Sequence, residues 1–185
     1  MSIKKYISQF EKVIPLKTCS NLIRYANSLS FEKAKIGLST LNEKIRKVNT
    51  YSLTPHTGTM SDCHWARFLN FKIVDIMNLY LDLQNLKEFE TIPFLKQCDL
   101  LKYEEYGHYK YHVDASVNFH RTLSAILFLN NDYEGGELLF KDMNDEEIKI
   151  NPIPGSLVIW PSNFLFPHKV NPLKFGKRFT VVAWG

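Results

Sequence analysis

The stretch PGSLVIWPSNFLFPHKV (residues 154–170) contains two short β-type segments separated by turn residues. A Pro-Gly turn precedes an apolar run at residues 156–160. Pro161 then ends that run, and a second segment starts at His168. Apolar runs this short, bounded by proline and glycine, predict strands of a sandwich or barrel.

The same pattern extends from about Thr91 to the end of the chain. The runs are QCDLLKY, YKYHVDA, TLSAILFLN, GELLF, EIKI, SLVIW, PHKV and RFTVVAW, most of them separated by glycine, proline or asparagine. Eight short strands with turn signals between them are typical of a double-stranded β-helix, which is a jelly roll of the cupin-like type.

The first half of the chain has a different periodicity. Apolar residues recur every three or four positions, which predicts one helix behind Pro15, with Thr18 as its candidate cap. A second helix is predicted to begin near Ser61 or Asp62. Residues 30–60 are polar and weakly periodic, which predicts an irregular region with at most one short strand, either a binding loop or a solvated connection.

Helices followed by strands predict an α+β protein that is mainly β. We expect a single domain over residues 1–185. In this domain residues 1–90 would provide supporting helices and loops, and residues 91–185 would form the jelly-roll core.

The composition is that of a globular protein, with 45% hydrophobic and 14% aromatic residues. The net charge of +4 gives no strong nucleic-acid signal. Three cysteines without a CxxC pair argue against a disulfide framework or zinc knuckle. We find no signal peptide and no apolar run of about 18 residues, so we expect a cytoplasmic protein without a membrane segment.

His112 and Asp114 lie two residues apart on a predicted strand, so their side chains point to the same face. With a second histidine such a pair forms the 2-His-1-carboxylate triad of non-haem iron(II) enzymes. Alone, the pair is equally what a half-buried strand with two polar residues would show. His168 is the candidate second histidine, and Arg178 follows ten residues later. Arginine suits a ligand carboxylate because its planar fork donates two parallel hydrogen bonds.

The order of YHVD, HRTLSAILFLN, YEGGELLF, PGSLVIWPSNFLFPH and GKRFTVVAW resembles the iron(II)- and 2-oxoglutarate-dependent dioxygenases, within them the prolyl 4-hydroxylase-like branch. The resemblance covers roughly residues 91–185. It implies that His112, Asp114 and His168 bind Fe(II) and that Arg178 pairs with the distal carboxylate of 2-oxoglutarate.

The resemblance also implies roles for five further residues. Tyr103 and Thr180 would donate to the 2-oxoglutarate carboxylate, whereas Tyr109, Arg121 and Trp184 would line a peptidyl-proline site.

Three features depart from the pattern of the family. Leu138 and Phe128 stand where some members have a threonine and a tyrosine hydroxyl. Strict alternation puts Tyr109 on the face opposite His112, so its role requires a bend or bulge near Gly107.

The resemblance implies hydroxylation of a C–H bond, with peptidyl proline as the leading substrate and thus a peptide or protein as partner. Fe(II), 2-oxoglutarate and O2 would be required, with succinate and CO2 as coproducts and ascorbate as a candidate reductant. The alternatives are the same reaction on a free amino acid, small metabolite or other side chain, AlkB-like nucleic-acid demethylation, and a cupin-like binding module without turnover. The sequence does not indicate the oligomeric state, and it predicts no role for Tyr111.

Overall fold

The computed structural model of the protein describes residues 2–37, 40–116 and 120–185. After a 3₁₀ helix (Ile3–Tyr6), its elements are β1 (Ser8–Phe10), α1 (Leu16–Ala26), β2 (Glu32–Lys33), β3 (Arg46–Lys47), β4 (Asn49–Ser52), α2 (Met60–Leu83), β5 (Gln97–Tyr103), β6 (His108–His112), β7 (Leu123–Phe128), β8 (Glu134–Gly135), β9 (Leu138–Lys141), β10 (Glu147–Lys149), β11 (Leu157–Pro161), β12 (His168–Val170), β13 (Leu173–Phe175) and β14 (Arg178–Trp184).

Two antiparallel sheets form the body of the strand-rich half. The larger sheet has the order β1-β11-β7-β14-β5-β4-β2, and the smaller has the order β10-β9-β12-β6-β3. Along the chain β5, β7, β11 and β14 belong to the larger sheet, whereas β6, β9 and β12 belong to the smaller one. This alternation between two sheets is the winding of a jelly roll, so the predicted fold class is confirmed.

The larger sheet carries an apolar core on each face. One core lies between this sheet and the helices and includes Leu69, Ile73 and Val181. The other lies between the two sheets and includes Phe140 and Trp160, whose ring centroids are 5.0 Å apart. Because both faces are covered, β7 and β14 are buried along their whole length, which explains why their sequences are mainly apolar. Within the described residues, no helix combines the length and apolar composition needed to span a bilayer.

The structure corrects the predicted cap of the first helix and agrees with the predicted start of the second to within one residue. Helix α1 begins at Leu16 after Pro15, which has no side-chain cap bond, so Thr18 lies inside the first turn and is not the cap. Helix α2 begins at Met60 and is capped by Thr59. Asp62 is the third residue of α2, where its carboxylate completes a capping box.

The prediction of at most one strand in residues 30–60 is wrong. Three short strands lie there, although residues 38 and 39 fall outside the described residues. Strand β4 pairs with β5 and extends the larger sheet, and β3 pairs with β6 and extends the smaller one. Strands of two to four residues are too short to show alternation in the sequence. They form because they pair with other strands of the sheets.

Asp62 ties α2 to α1 and β4. Its buried carboxylate accepts hydrogen bonds from the hydroxyls of Tyr25, Tyr51 and Thr59 and from the main-chain N–H of Thr59. Burial by itself would raise the pKa of Asp62, but these hydrogen bonds outweigh burial and lower it to about 2. Gly58 makes room for the carboxylate, because a Cβ there would lie 2.7 Å from Asp62 Oδ2.

We expect Asp62→Asn to lower the free energy of unfolding at neutral pH by about 2–4 kcal/mol, since it removes a charged cap and weakens two buried hydroxyl contacts. The pKa is lower in the folded than in the unfolded chain, so the ionic contribution is complete above about pH 4. This ionic contribution of Asp62 to the free energy of unfolding is lost as the pH falls towards 2. Urea unfolding at several pH values should therefore show the gap to the wild type narrowing in acid. A gap of constant size from pH 7 to pH 3 would contradict this account. Asp75→Asn, on the exposed face of α2, is the control.

Candidate active site

Two histidines and a carboxylate meet on the inner face of the smaller sheet. His112 ends β6 and lies directly opposite His168, the first residue of β12. Asp114 follows β6, and its carboxylate oxygens lie 3.7 Å from Nε2 of His112 and 3.5 Å from Nε2 of His168. All three candidate ligand atoms lie within 4.8 Å of one another. The structure thus brings together the three residues that the sequence predicted as a metal site.

Main-chain contacts fix the tautomer of both histidines. Nδ1 of His112 lies 2.9 Å from the carbonyl oxygen of Lys110, and Nδ1 of His168 lies 3.1 Å from that of Phe166. A ring nitrogen beside a carbonyl must carry the hydrogen, so each Nε2 presents its lone pair towards Asp114. Such contacts are typical of metal-binding histidines, whose rings they orient.

The protonation of the triad suits a divalent cation. Burial, followed by the neighbouring His168 ring, lowers the pKa of His112 far below its usual range. Burial would raise the pKa of Asp114, but His168, His112 and the Ser124 hydroxyl together lower it. Two imidazoles beside one carboxylate are the donor set of an iron(II) facial triad, so these residues fit that metal.

A bulge inside β6 brings Tyr109 to the face of His112. Val170 lies opposite Tyr109 and His168 lies opposite His112, so three steps along β6 face two steps along β12. The ring of Tyr109 stacks on that of His112 with centroids 3.5 Å apart. The predicted irregularity therefore exists, but it lies between Tyr109 and His112 and not near Gly107.

A cavity of about 570 Å³ extends from the triad between the two sheets. Four of the other predicted site residues line it, namely Tyr103, Tyr109, Arg121 and Trp184. Arg178 and Thr180 lie deeper, with no exposed surface.

Arg178 is a buried cation with free donors. Its Nη1 lies 3.4 Å from the Thr180 hydroxyl, and its guanidinium lies 4.9 Å from the Tyr103 ring centroid and 5.5 Å from that of Phe128. Among the described residues, its Nε and Nη2 and the hydroxyl of Tyr133 have no hydrogen-bond partner. A buried guanidinium without a counter-ion is costly, so this corner fits the carboxylate of a bound molecule such as 2-oxoglutarate.

Gly136 shapes the corner around Arg178, together with Phe128 and Leu138, which depart from the family pattern. A Cβ at Gly136 would lie 3.2 Å from Cδ of Arg178 and 2.9 Å from a methyl group of Leu173. Phe128 and Leu138 are both buried and apolar, so the donors here come from Arg178 and its tyrosine and threonine neighbours. Tyr133 was not predicted as a site residue, although it lies in the YEGGELLF run.

Arg121 links the predicted substrate side to the triad. Its Nη1 donates to the carbonyl oxygen of Asp114 at 3.1 Å and its Nη2 donates to Gln97 at 2.9 Å. Its guanidinium lies 3.8 Å from the Trp184 ring centroid. Arg121 therefore also holds the main chain that carries Asp114, a role that the sequence did not predict.

Several further cavity residues were missed. Arg46, Thr50 and Ser52 reach the cavity from the segment predicted to be irregular, and Asp99 reaches it from β5. Tyr111 lies outside the site, on the surface, where its hydroxyl donates to Glu147 at 2.8 Å.

Comparison with known proteins identifies the strand-rich half. Residues 98–185 match the family model of the 2OG-Fe(II) oxygenase superfamily. This part of the chain has the sequence pattern of a 2OG-Fe(II) oxygenase domain. The resemblance inferred from the sequence motifs is thereby confirmed.

The similar curated proteins are named PKHD-type hydroxylases. One from Crocosphaera subtropica is 41% identical over 91 residues, which cover 45% of this chain and 39% of that protein. Another from Prochlorococcus marinus is 37% identical over 122 residues, which cover 63% of this chain and 53% of that protein. The chain thus matches about half of their length or less.

Solved structures share the fold of the whole chain at low identity. A prolyl-4-hydroxylase from Pseudomonas putida matches with a TM-score of 0.73 and 22% identity, covering 97% of this chain and 91% of that one. A prolyl hydroxylase from Trichoplax adhaerens, solved with a peptide fragment of the hypoxia inducible factor oxygen degradation domain, matches with a TM-score of 0.80 and 17% identity. That match covers 97% of this chain and 82% of the other.

Proposed function

We propose that this chain is an Fe(II)- and 2-oxoglutarate-dependent dioxygenase that hydroxylates a prolyl residue of a peptide or protein. One observation carries the proposal. The triad of His112, Asp114 and His168 lines a cavity together with Tyr103. The Tyr103 ring lies 4.9 Å from the guanidinium of Arg178, whose buried Nε and Nη2 lack partners among the described residues. A metal triad alone would fit many reactions. A triad together with an arginine that can bind a carboxylate fits a cosubstrate with a carboxylate at one end and a metal-chelating group at the other.

The metal triad and the Arg178 corner have separate roles in the proposed reaction. When bound, Fe(II), 2-oxoglutarate and O2 supply the oxidising chemistry and yield succinate and CO2. His112, Asp114 and His168 would hold the metal at the wall of the cavity. Arg178, helped by Thr180, fixes the distal carboxylate of the cosubstrate. A corner this deeply buried excludes water, which strengthens the ion pair formed there.

The hydroxyls of two tyrosines can complete the binding of that carboxylate. Tyr103 and Tyr133 both lie near Arg178, and burial raises the pKa of each hydroxyl while the charge of Arg178 opposes the shift. Both therefore stay protonated at neutral pH and can donate hydrogen bonds.

The substrate side of the cavity suits a peptidyl proline. Tyr109, Arg121 and Trp184 line it with aromatic faces and donors, and its volume is that of an ordinary ligand site. The names of the similar PKHD-type hydroxylases and prolyl hydroxylases support the same substrate class. We include ascorbate as the reductant that would restore Fe(II) after uncoupled turnover.

We propose further that the two halves act as one domain in a reducing, cytoplasmic setting. The helices of residues 1–90 cover the larger sheet, while β3 and β4 add strands to both sheets. Cys19, Cys63 and Cys98 are free thiols in the structure, which fits a reducing compartment.

Proline-containing peptides test the substrate class. Purified protein supplied with Fe(II), 2-oxoglutarate and ascorbate is expected to form succinate together with a peptide that has gained one oxygen atom, measured by mass spectrometry. The same peptides with alanine in place of proline are the control. Succinate at only the uncoupled background level across a broad library would remove the support for prolyl hydroxylation.

A further inference from the structure

A buried carboxylate forms part of the cavity wall away from the Arg178 corner. Asp99 lies in β5, is 4% exposed and lines the same cavity as the triad. Tyr103, Leu101, Asp99 and Gln97 follow one another along the cavity face of β5. Since a strand rises about 3.4 Å per residue, Asp99 lies roughly 13 Å along it from Tyr103. This places Asp99 on the side that Arg121 and Trp184 line, where a substrate would enter.

Neutral donors hold the carboxylate of Asp99. The Ser52 hydroxyl donates to Oδ1 and the Gln97 amide donates to Oδ2, each at 2.7 Å. Each carboxylate oxygen therefore keeps the capacity to accept a further hydrogen bond. Burial is the largest influence on Asp99 and raises its pKa, so a positive charge that reaches the carboxylate would favour its ionised form.

The two guanidinium groups whose charges act on Asp99 hydrogen-bond to other groups, although Nε of Arg46 has no partner among the described residues. Arg46 donates to a main-chain carbonyl, and Arg121 donates to the main chain of Asp114 and to Gln97. Both lower the pKa of Asp99 only as charges at a distance. No ion pair joins Asp99 to another group within residues 2–37, 40–116 and 120–185, so its carboxylate faces the cavity as an acceptor.

A second carboxylate lies at the mouth of the same wall. Glu32 in β2 is exposed, lines the cavity and lies opposite Thr50 of β4, two residues before Ser52. The neighbouring Lys33 forms an ion pair with Glu43. A positively charged side chain entering along this wall would pass Glu32 and reach Asp99.

We propose that Asp99 determines specificity by binding a cationic side chain of the substrate, a lysine or arginine within a few residues of the target proline. The inference rests on the proposed function, because it takes a peptide as the molecule that enters the cavity. A buried carboxylate pairs strongly with an ammonium or guanidinium group that reaches it, because water no longer screens the charges. The same carboxylate disfavours an acidic residue at that place, which gives discrimination in both directions.

Binding without turnover tests this directly. Protein loaded with Zn(II) and 2-oxoglutarate is titrated with paired proline peptides that carry arginine or its neutral analogue citrulline at one flanking position. The wild type is expected to bind the best arginine peptide about tenfold or more tightly than its citrulline partner, since one charged hydrogen bond is worth at least that factor. Asp99→Asn should remove the preference while keeping the affinity for the citrulline peptide.

Asp75→Asn makes the same chemical change on the exposed face of α2 and should keep the preference. If the wild type binds the arginine and citrulline peptides equally, the proposal is overturned. This comparison does not depend on whether the Asp99→Asn variant folds. A preference that survives Asp99→Asn, or failure of every peptide to bind, overturns it as well. Charge-selective binding without oxygen transfer in the Fe(II) enzyme would instead reject prolyl hydroxylation and leave the cation site standing.

Discussion

Replacing His168 with alanine is expected to abolish 2-oxoglutarate turnover and to weaken Fe(II) binding by more than the roughly 10- to 100-fold typical of changes in outer-shell partners. His168 is 3% exposed and lies in register with His112, and the metal-ligand cluster of the described residues contains no third histidine. Metal affinity is measured by titration with Co(II) or Fe(II) under anaerobic conditions, and turnover by succinate formation.

His56→Ala is the matched control, because His56 is exposed and lies outside the cavity wall. It should leave both quantities unchanged. Unaltered metal affinity in His168→Ala would show that the triad is not the metal site, even if turnover were lost for another reason.

Arg178→Met is expected to change stability and ligand binding in opposite directions. The substitution removes a buried charge whose Nε and Nη2 lack partners among the described residues. The ligand-free protein should therefore become more stable, by about 1–4 kcal/mol, because an apolar side chain of similar length avoids the desolvation cost. At the same time the affinity for 2-oxoglutarate should fall by about 100-fold or more, since two charge-assisted hydrogen bonds are lost.

Unfolding experiments with and without 2-oxoglutarate separate the two effects. In the metal-loaded wild type, 2-oxoglutarate at 100 times its dissociation constant should add about 2.7 kcal/mol to the free energy of unfolding. Arg178→Met should lose this gain at the same concentration, whereas Arg24→Met, an exposed change on α1, should keep it. A variant that is destabilised by several kcal/mol and still binds 2-oxoglutarate would mean that Arg178 has a structural role alone.

The metal-binding and carboxylate-binding residues could be predicted from the sequence because their spacing along the chain is characteristic. His112 and Asp114 share a face by strand alternation, and the segments with His168 and Arg178 follow in a fixed order. Each of these residues lies in or next to a strand that is apolar enough to be recognised by itself. The fold class followed for the same reason.

The part of the cavity wall that β4 and β5 form could not be predicted from the sequence, because it depends on pairing between strands that are far apart along the chain. Strand β4 pairs with β5, about fifty residues later, as well as with β2, and β3 pairs with β6. Its polar residues, Ser52 among them, therefore looked like loop residues. The position of the bulge beside Tyr109 depends in turn on the register with β12, which lies still further along the chain. Asp99 gave no signal, since one acid in QCDLLKY does not reveal which face it occupies.

A crystal structure of the wild type with Mn(II) and 2-oxoglutarate would test the central claim most directly. We predict one metal ion bound by Nε2 of His112, Nε2 of His168 and a carboxylate oxygen of Asp114. One end of the 2-oxoglutarate molecule should chelate that ion, and its distal carboxylate should accept hydrogen bonds from Arg178. A metal bound elsewhere, or a 2-oxoglutarate molecule that leaves Arg178 without a carboxylate partner, would contradict the account.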